Sequence, residues 1–182
     1  MNVEKEKKMT IKNTAREIAN LAVFVALVIA AQFALSFVAG VELVTVLFVT
    51  YAFTFGVRRG MLAATAFSLL RMLVFGVFLN VLVLYLIYYN ALAVCFGVLG
   101  RRVKKPLKNL WWLILLACVC TLSFTLLDNL LTIVWYDFTK KAAKAYFIAS
   151  LPVAFSQMLC TAITVGALFL PLRKILLLTK KG

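Results

Sequence analysis

Most side chains in this 182-residue chain are apolar, so the polar ones embedded in long apolar runs are the first candidates for chemistry. Arg71 and Asp128 are the charged members. A guanidinium at that depth costs several kcal/mol on insertion scales unless it is paired (about 2.5–3.5 at a helix centre). Measured along ideal helices, Arg71 lies about 16 Å from Gly60 and Asp128 about 27 Å from Leu110, which puts Arg71 near mid-depth and Asp128 in the outer half. A long side chain narrows that gap. An Arg71–Asp128 ion pair is therefore one expectation. The other is that either residue faces a ligand, Arg71 being suited to grip a carboxylate or phosphate through two parallel bonds.

A second group is polar and aromatic: Gln32, Glu42, Asn80, Tyr85, Tyr88, Asn129, Trp135 and Gln157, with Tyr89 and Asn90 deeper. Aromatic walls with a few amides and charges suit a small-molecule site. Each member also has a plainer reading. Trp135 and Tyr136 suit an interfacial belt. Asn90, Asn129 and Gln157 suit hydrogen bonding between helices. A third group is a stripe of small residues, Ala22, Ala26 and Ala30, preceded by Ala15 and Ala19. Four-residue spacing puts Ala22, Ala26 and Ala30 on one helix face, where they permit close approach of another helix, either inside the bundle or from a separate subunit.

Several chemistries have no residues to support them. His is absent, which removes the commonest general base and metal ligand. Cys95, Cys118, Cys120 and Cys160 all fall in apolar runs and read as small buried hydrophobes; no metal site and no cofactor are expected. No phosphate-binding Gly-x-x-x-x-Gly-Lys-Ser/Thr loop occurs, nor His-Glu-x-x-His, nor Gly-x-Ser-x-Gly. Asp128 stands alone at depth, so no series of carboxylates forms a proton relay.

The elements that must position these residues follow from hydropathy and charge. The chain is 65% hydrophobic with mean hydropathy +1.04, against about 45–50% apolar for soluble domains. Lipid must be its main solvent. We read six spans: about 18–39, 43–57, 61–79, 81–100, 110–136 and 146–172. The second is short for a roughly 30 Å hydrocarbon core and is expected to start earlier or to sit partly inside the bundle. The first reads as a true span rather than a signal peptide. Pro106, Pro152 and Pro171 are expected near element ends. Residues 137–145 are expected as a longer connection able to fold over the bundle as a cap. The whole is one domain, 1–182.

Charge sets the orientation. Of the 20 Lys and Arg residues, 16 cluster at the N-terminus, at Arg58 and Arg59, at 101–108 and at the C-terminus. The alternate connections carry only Lys140, Lys141 and Lys144. Under the positive-inside rule both termini are cytoplasmic, which agrees with an even number of spans. The net charge of +14 is explained by loops facing anionic headgroups, so no nucleic-acid partner is expected. The expected fold is an all-α integral membrane bundle of six transmembrane helices.

Ala22-Val-Phe-Val-Ala26, extended to Ala30, and the Phe55-Gly56 and Arg59-Gly60 turn resemble features of S-components, the substrate-binding membrane subunits of energy-coupling factor (ECF) ABC transporters for vitamins. The resemblance covers nearly the whole chain through size and topology; the Trp-rich pattern of thiamine binders is missing. It implies a subunit in the cell membrane of a prokaryote that captures a vitamin or related micronutrient from outside. It also implies partners: a transmembrane coupling subunit that docks on the Ala22/Ala26/Ala30 face, and two ATPase subunits. The pocket it implies lies at the extracytoplasmic end, formed by later helices and the loop containing Gly40, Val41 and Glu42. Two other readings stand beside it: a small membrane enzyme acting on a lipid or isoprenoid, and a ligand-free assembly protein.

Overall fold

The computed structural model describes residues 2–37, 43–103 and 106–181, with the side chains of 14–37, 43–103 and 106–179. The chain forms six helices: α1 (Asn2–Leu35), α2 (Val44–Phe55), α3 (Val57–Phe75), α4 (Leu79–Arg102), α5 (Leu110–Trp135) and α6 (Lys140–Lys181). No strand occurs among the described residues. Four helices are long and apolar enough to cross a membrane: α1 from Thr14, α4, α5 and α6.

α2 organises the rest. Its sequence, Val-Thr-Val-Leu-Phe-Val-Thr-Tyr-Ala-Phe-Thr-Phe, is apolar all round, so it has no face to offer water and must be enclosed. Every residue from Val44 to Thr54 is buried, and α2 packs against all five other helices. Thr50 and Thr54 satisfy their hydroxyls on the carbonyls of Val46 and Thr50, one turn back. Phe24 of α1 stacks on Tyr51 at 3.9 Å, and Phe48 meets Phe67 of α3 and Tyr89 of α4 at 5.2 and 4.8 Å. The short second apolar run is thus an internal helix about 18 Å long.

Glycine allows α4 to press against the α2–α3 junction. A Cβ on Gly100 would stand 2.1 Å from the Phe53 carbonyl oxygen, and one on Gly97 would stand 2.6 Å from the Val57 nitrogen. The junction itself is a single residue, Gly56, at φ +86, a conformation that L side chains rarely adopt. This end of the bundle is basic. Arg59 pairs with Glu17, the one ion pair among the described residues, and also lies over Phe55. Arg173 lies over Phe53, 5.4 Å from the ring centre.

The exterior is apolar: Val23, Leu73, Val134, Phe155 and Leu178 are all exposed. Such a surface suits lipid and not water. On α5 the exposed pair Trp111 and Trp112 and the exposed pair Trp135 and Tyr136 are about 36 Å apart along the axis. That matches the two interfacial girdles flanking a roughly 30 Å hydrocarbon layer.

Several boundaries differ from the sequence expectation. α6 begins at Lys140, so the proposed cap over 137–145 does not exist as a loop; only 136–139 connect α5 to α6. Thr139 receives the Ala142 N–H on its hydroxyl, and Ala142, Ala143 and Ala145 are strong helix formers. Pro152 and Pro171 lie inside α6, not near its ends. Each removes one N–H from a ladder that continues on both sides. α3 ends at Phe75, and Gly76 at φ +92 terminates it. Arg71 is therefore about one turn, roughly 6 Å, from the end of its helix.

Candidate functional site

The helices alternate in direction, so the C-terminal ends of α1, α3 and α5 gather with the N-terminal ends of α4 and α6. Most of the polar residues singled out above are at this basic-poor end, in two adjoining groups.

The first joins α1, α3 and α4. Arg71 donates from Nε to Oε1 of Gln32 at 3.2 Å, and Gln32 donates from Nε2 to the Tyr85 hydroxyl oxygen at 2.9 Å. The Arg71 guanidinium lies over two rings, 4.3 Å from the centre of Tyr85 and 4.7 Å from that of Phe75. Ring faces are negative, so this sandwich compensates part of the charge without a carboxylate. The expected Arg71–Asp128 ion pair does not form: α3 packs on α1, α2 and α4, whereas α5 packs chiefly on α6 and α4.

The second group lies between α5 and α6. A cleft of about 260 Å³ is lined by Phe124, Thr125, Asp128 and Asn129 of α5 and by Tyr146, Ala149, Ser150, Val153 and Gln157 of α6. Its polar wall is built on helix periodicity. Thr121, Thr125 and Asn129 recur every fourth residue on the α5 face that meets α6. Thr121 bonds Thr161 at 3.0 Å, Thr125 donates to Gln157 Oε1 at 3.3 Å, and Asn129 donates from Nδ2 to the Ser150 hydroxyl at 2.7 Å. In lipid, where packing and interhelical hydrogen bonds drive helices together, such a ladder holds the pair in register. Toward the basic-poor end it opens into the cleft.

Aromatic rings connect the groups. Tyr85 stands 5.8 Å and Tyr88 4.8 Å from Phe124, ring centre to ring centre, and Phe124 is a wall of the cleft. The structure thus brings together Gln32, Arg71 and Tyr85 in one group and Asp128, Asn129 and Gln157 in the other, with Tyr88 between. Asn80 is half-buried at the start of α4, outside both, and Trp135 is exposed at the end of α5 and does not line the cleft. Glu42 lies outside the described residues. Asn90 bonds Thr65 and the Leu86 carbonyl, as an interhelical link.

Thr125, Tyr146 and Ser150 escaped the sequence reading. The signal that finds them is the pairing of the Thr121-Thr125-Asn129 stripe with Ser150, Gln157 and Thr161. Cys95 of α4 and Cys120 of α5 are neighbours, and Cys118 bonds the Met158 carbonyl at 3.7 Å. Among the described residues no three His, Cys, Asp or Glu side chains group as metal ligands.

The small-residue stripe is on the outside. Ala22, Ala26 and Ala30 are all exposed, together with Ala15 and Ala19, while Phe24, Val25 and Val28 face the core. The stripe does not serve packing within the bundle.

Fold and site together define a helical membrane protein whose basic-poor end holds an aromatic-walled cleft with a few polar groups. Comparison with protein-family models, with characterised proteins and with solved structures finds no match.

Proposed function

We propose that this chain is the substrate-binding subunit, the S-component, of an ECF-type ABC importer. In this reading all six helices belong to the membrane domain, both termini are cytoplasmic, and the cleft faces the outside of a prokaryotic cell membrane. The subunit captures a vitamin or related micronutrient there. A transmembrane coupling subunit and two ATPase subunits complete the importer.

The observation that carries this reading is the gathering of Asp128, Asn129, Gln157, Tyr146 and Phe124 around one cleft at the end poor in Lys and Arg. A binding subunit needs a mostly apolar concavity with a few convergent polar groups, open to the side from which its substrate arrives. About 260 Å³ is close to the lower end of the usual range of roughly 300–1,000 Å³ for small-molecule sites. The occupant is accordingly small. The exposed Ala face of α1 supports the reading, since it offers a coupling subunit a smooth surface for close helix packing.

The test is retention of ligand. The chain is purified from membranes in mild detergent, and bound small molecules are extracted and identified by mass spectrometry, followed by titration with a vitamin panel. Near-stoichiometric recovery of one micronutrient supports the proposal. A folded chain that purifies empty and binds no panel member refutes it.

A further inference from the structure

We infer that the α5–α6 cleft selects a small aromatic ring bearing a cationic N–H group, of the amidinium or protonated aminoheterocycle class. This deepens the binding-subunit reading and rests on it for its biological setting.

The polar atoms of the cleft sort by sign. Ser150 donates its only hydroxyl proton to the Phe147 carbonyl at 2.8 Å. Its oxygen must therefore accept from Asn129, which settles the orientation of that amide: the atom 2.7 Å away is Nδ2, an N–H donor. Oδ1 is left, on a side chain only 2% exposed, and it makes no hydrogen bond within the protein. An acceptor so placed is costly unless a donor reaches it.

Asp128, the neighbouring wall residue, adds a half-buried carboxylate. No Lys or Arg among the described residues is within ion-pair distance of it. Arg71 is committed to Gln32, Tyr85 and Phe75, and its chain of contacts to the cleft runs through the Tyr85 and Phe124 rings. Lys140, Lys141 and Lys144, at the start of α6, are exposed and form no ion pair with a described carboxylate.

A half-buried carboxylate on the wall of the cleft, with no cation beside it, calls for a donor that carries positive charge. A cationic N–H group bonds the Asp128 carboxylate through a charge-assisted hydrogen bond. The Phe124 and Tyr146 rings supply walls that favour a flat cation. An anion would instead meet like charge in a partly desolvated site. The ligand class this geometry favours is thus opposite in sign to the one that Arg71 suggests from sequence alone.

The test is calorimetric titration of the full chain in non-ionic detergent with three ring isosteres: benzamidinium, benzamide and benzoate. The expected order of affinity is benzamidinium, benzamide, benzoate, with about tenfold or more between the first and last. Asp128→Asn should abolish the preference for benzamidinium. Equal affinities, tighter binding of benzoate, no detectable binding of benzamidinium, or an unchanged preference in a folded Asp128→Asn would each overturn the inference. The wild-type series decides even if the variant does not fold. Assembly with an ECF module is scored in parallel. A complex without cation preference sinks this inference alone, while cation preference in a chain that never assembles sinks the transporter reading alone.

Discussion

Gly100→Ala isolates the packing on which the bundle depends. The added methyl would stand 2.1 Å from the Phe53 carbonyl oxygen, 2.8 Å from its carbon and 2.9 Å from its Cα, all backbone atoms of an enclosed helix. None is the end of a flexible side chain, so α4 must move away from α2 by about an ångström. Overpacking of this kind costs typically about 1–3 kcal/mol, and a clash with backbone belongs at the upper end. Alanine returns up to about 1 kcal/mol of helix propensity. The net is about 2 kcal/mol, or a melting temperature lower by about 4–8 °C for a chain of this size. The control is Gly166→Ala, whose methyl would meet only Ile114 Cδ1 at 3.5 Å, an ordinary contact. Thermal melts in detergent, followed by tryptophan fluorescence and by size-exclusion recovery, should show Gly100→Ala clearly lowered and Gly166→Ala unchanged or raised. Equal melts for the two variants would refute the close crossing of α4 over α2.

Other parts of the structure yield further expectations. Gln32→Leu removes both hydrogen bonds of the amide that links Arg71 to Tyr85, and should lower stability by about 1–3 kcal/mol, whereas Asn80→Ala, outside both groups, should stay within about 0.5 kcal/mol; the same melts compare them. Dibromobimane, which fluoresces when it bridges two thiols, should label wild type and Cys118→Ala but not Cys95→Ala or Cys120→Ala, because Cys95 and Cys120 are the neighbouring pair. If both termini are cytoplasmic, green fluorescent protein fused at either end should fluoresce and alkaline phosphatase inserted after Phe138 should be active. A dark terminal fusion that is otherwise stable would break the six-span reading.

How far the sequence could be read depended on what each signal measures. Hydropathy placed α4 and α5 within two residues of their observed bounds, because there the apolar run and the helix end together. It misplaced the start of α6 because hydropathy marks where a chain leaves lipid: Lys140–Ala145 is polar yet strongly helix-forming, and the helix runs on past the apolar stretch. It left open whether the second run starts earlier or sits partly inside the bundle, and the 12-residue α2, too short to span a bilayer, takes the inside position. The site was half legible. Asp128, Asn129 and Gln157 stood out as polar residues in apolar surroundings and do share a cleft. Arg71 also stood out, but depth along a helix says nothing about which helices touch, and α3 and α5 are separated at this end by α4 and its tyrosines. Thr125 and Ser150 were passed over because short hydroxyls in helices usually close on their own backbone. Ser150 does so, and it is that bond which turns the Asn129 amide.

In the proposed role, this chain is a binding subunit that docks on a separate coupling subunit through α1. The most direct test is co-purification of the tagged chain with an ECF module of coupling subunit and ATPases, for wild type and for Ala22→Leu/Ala26→Leu. Both alanines are exposed, so the leucines should leave the melting temperature of the isolated chain nearly unchanged. A stoichiometric complex is expected with wild type and its loss with the double variant. A well-folded wild type that fails to assemble with modules from several sources, or a complex indifferent to the two leucines, would contradict that role.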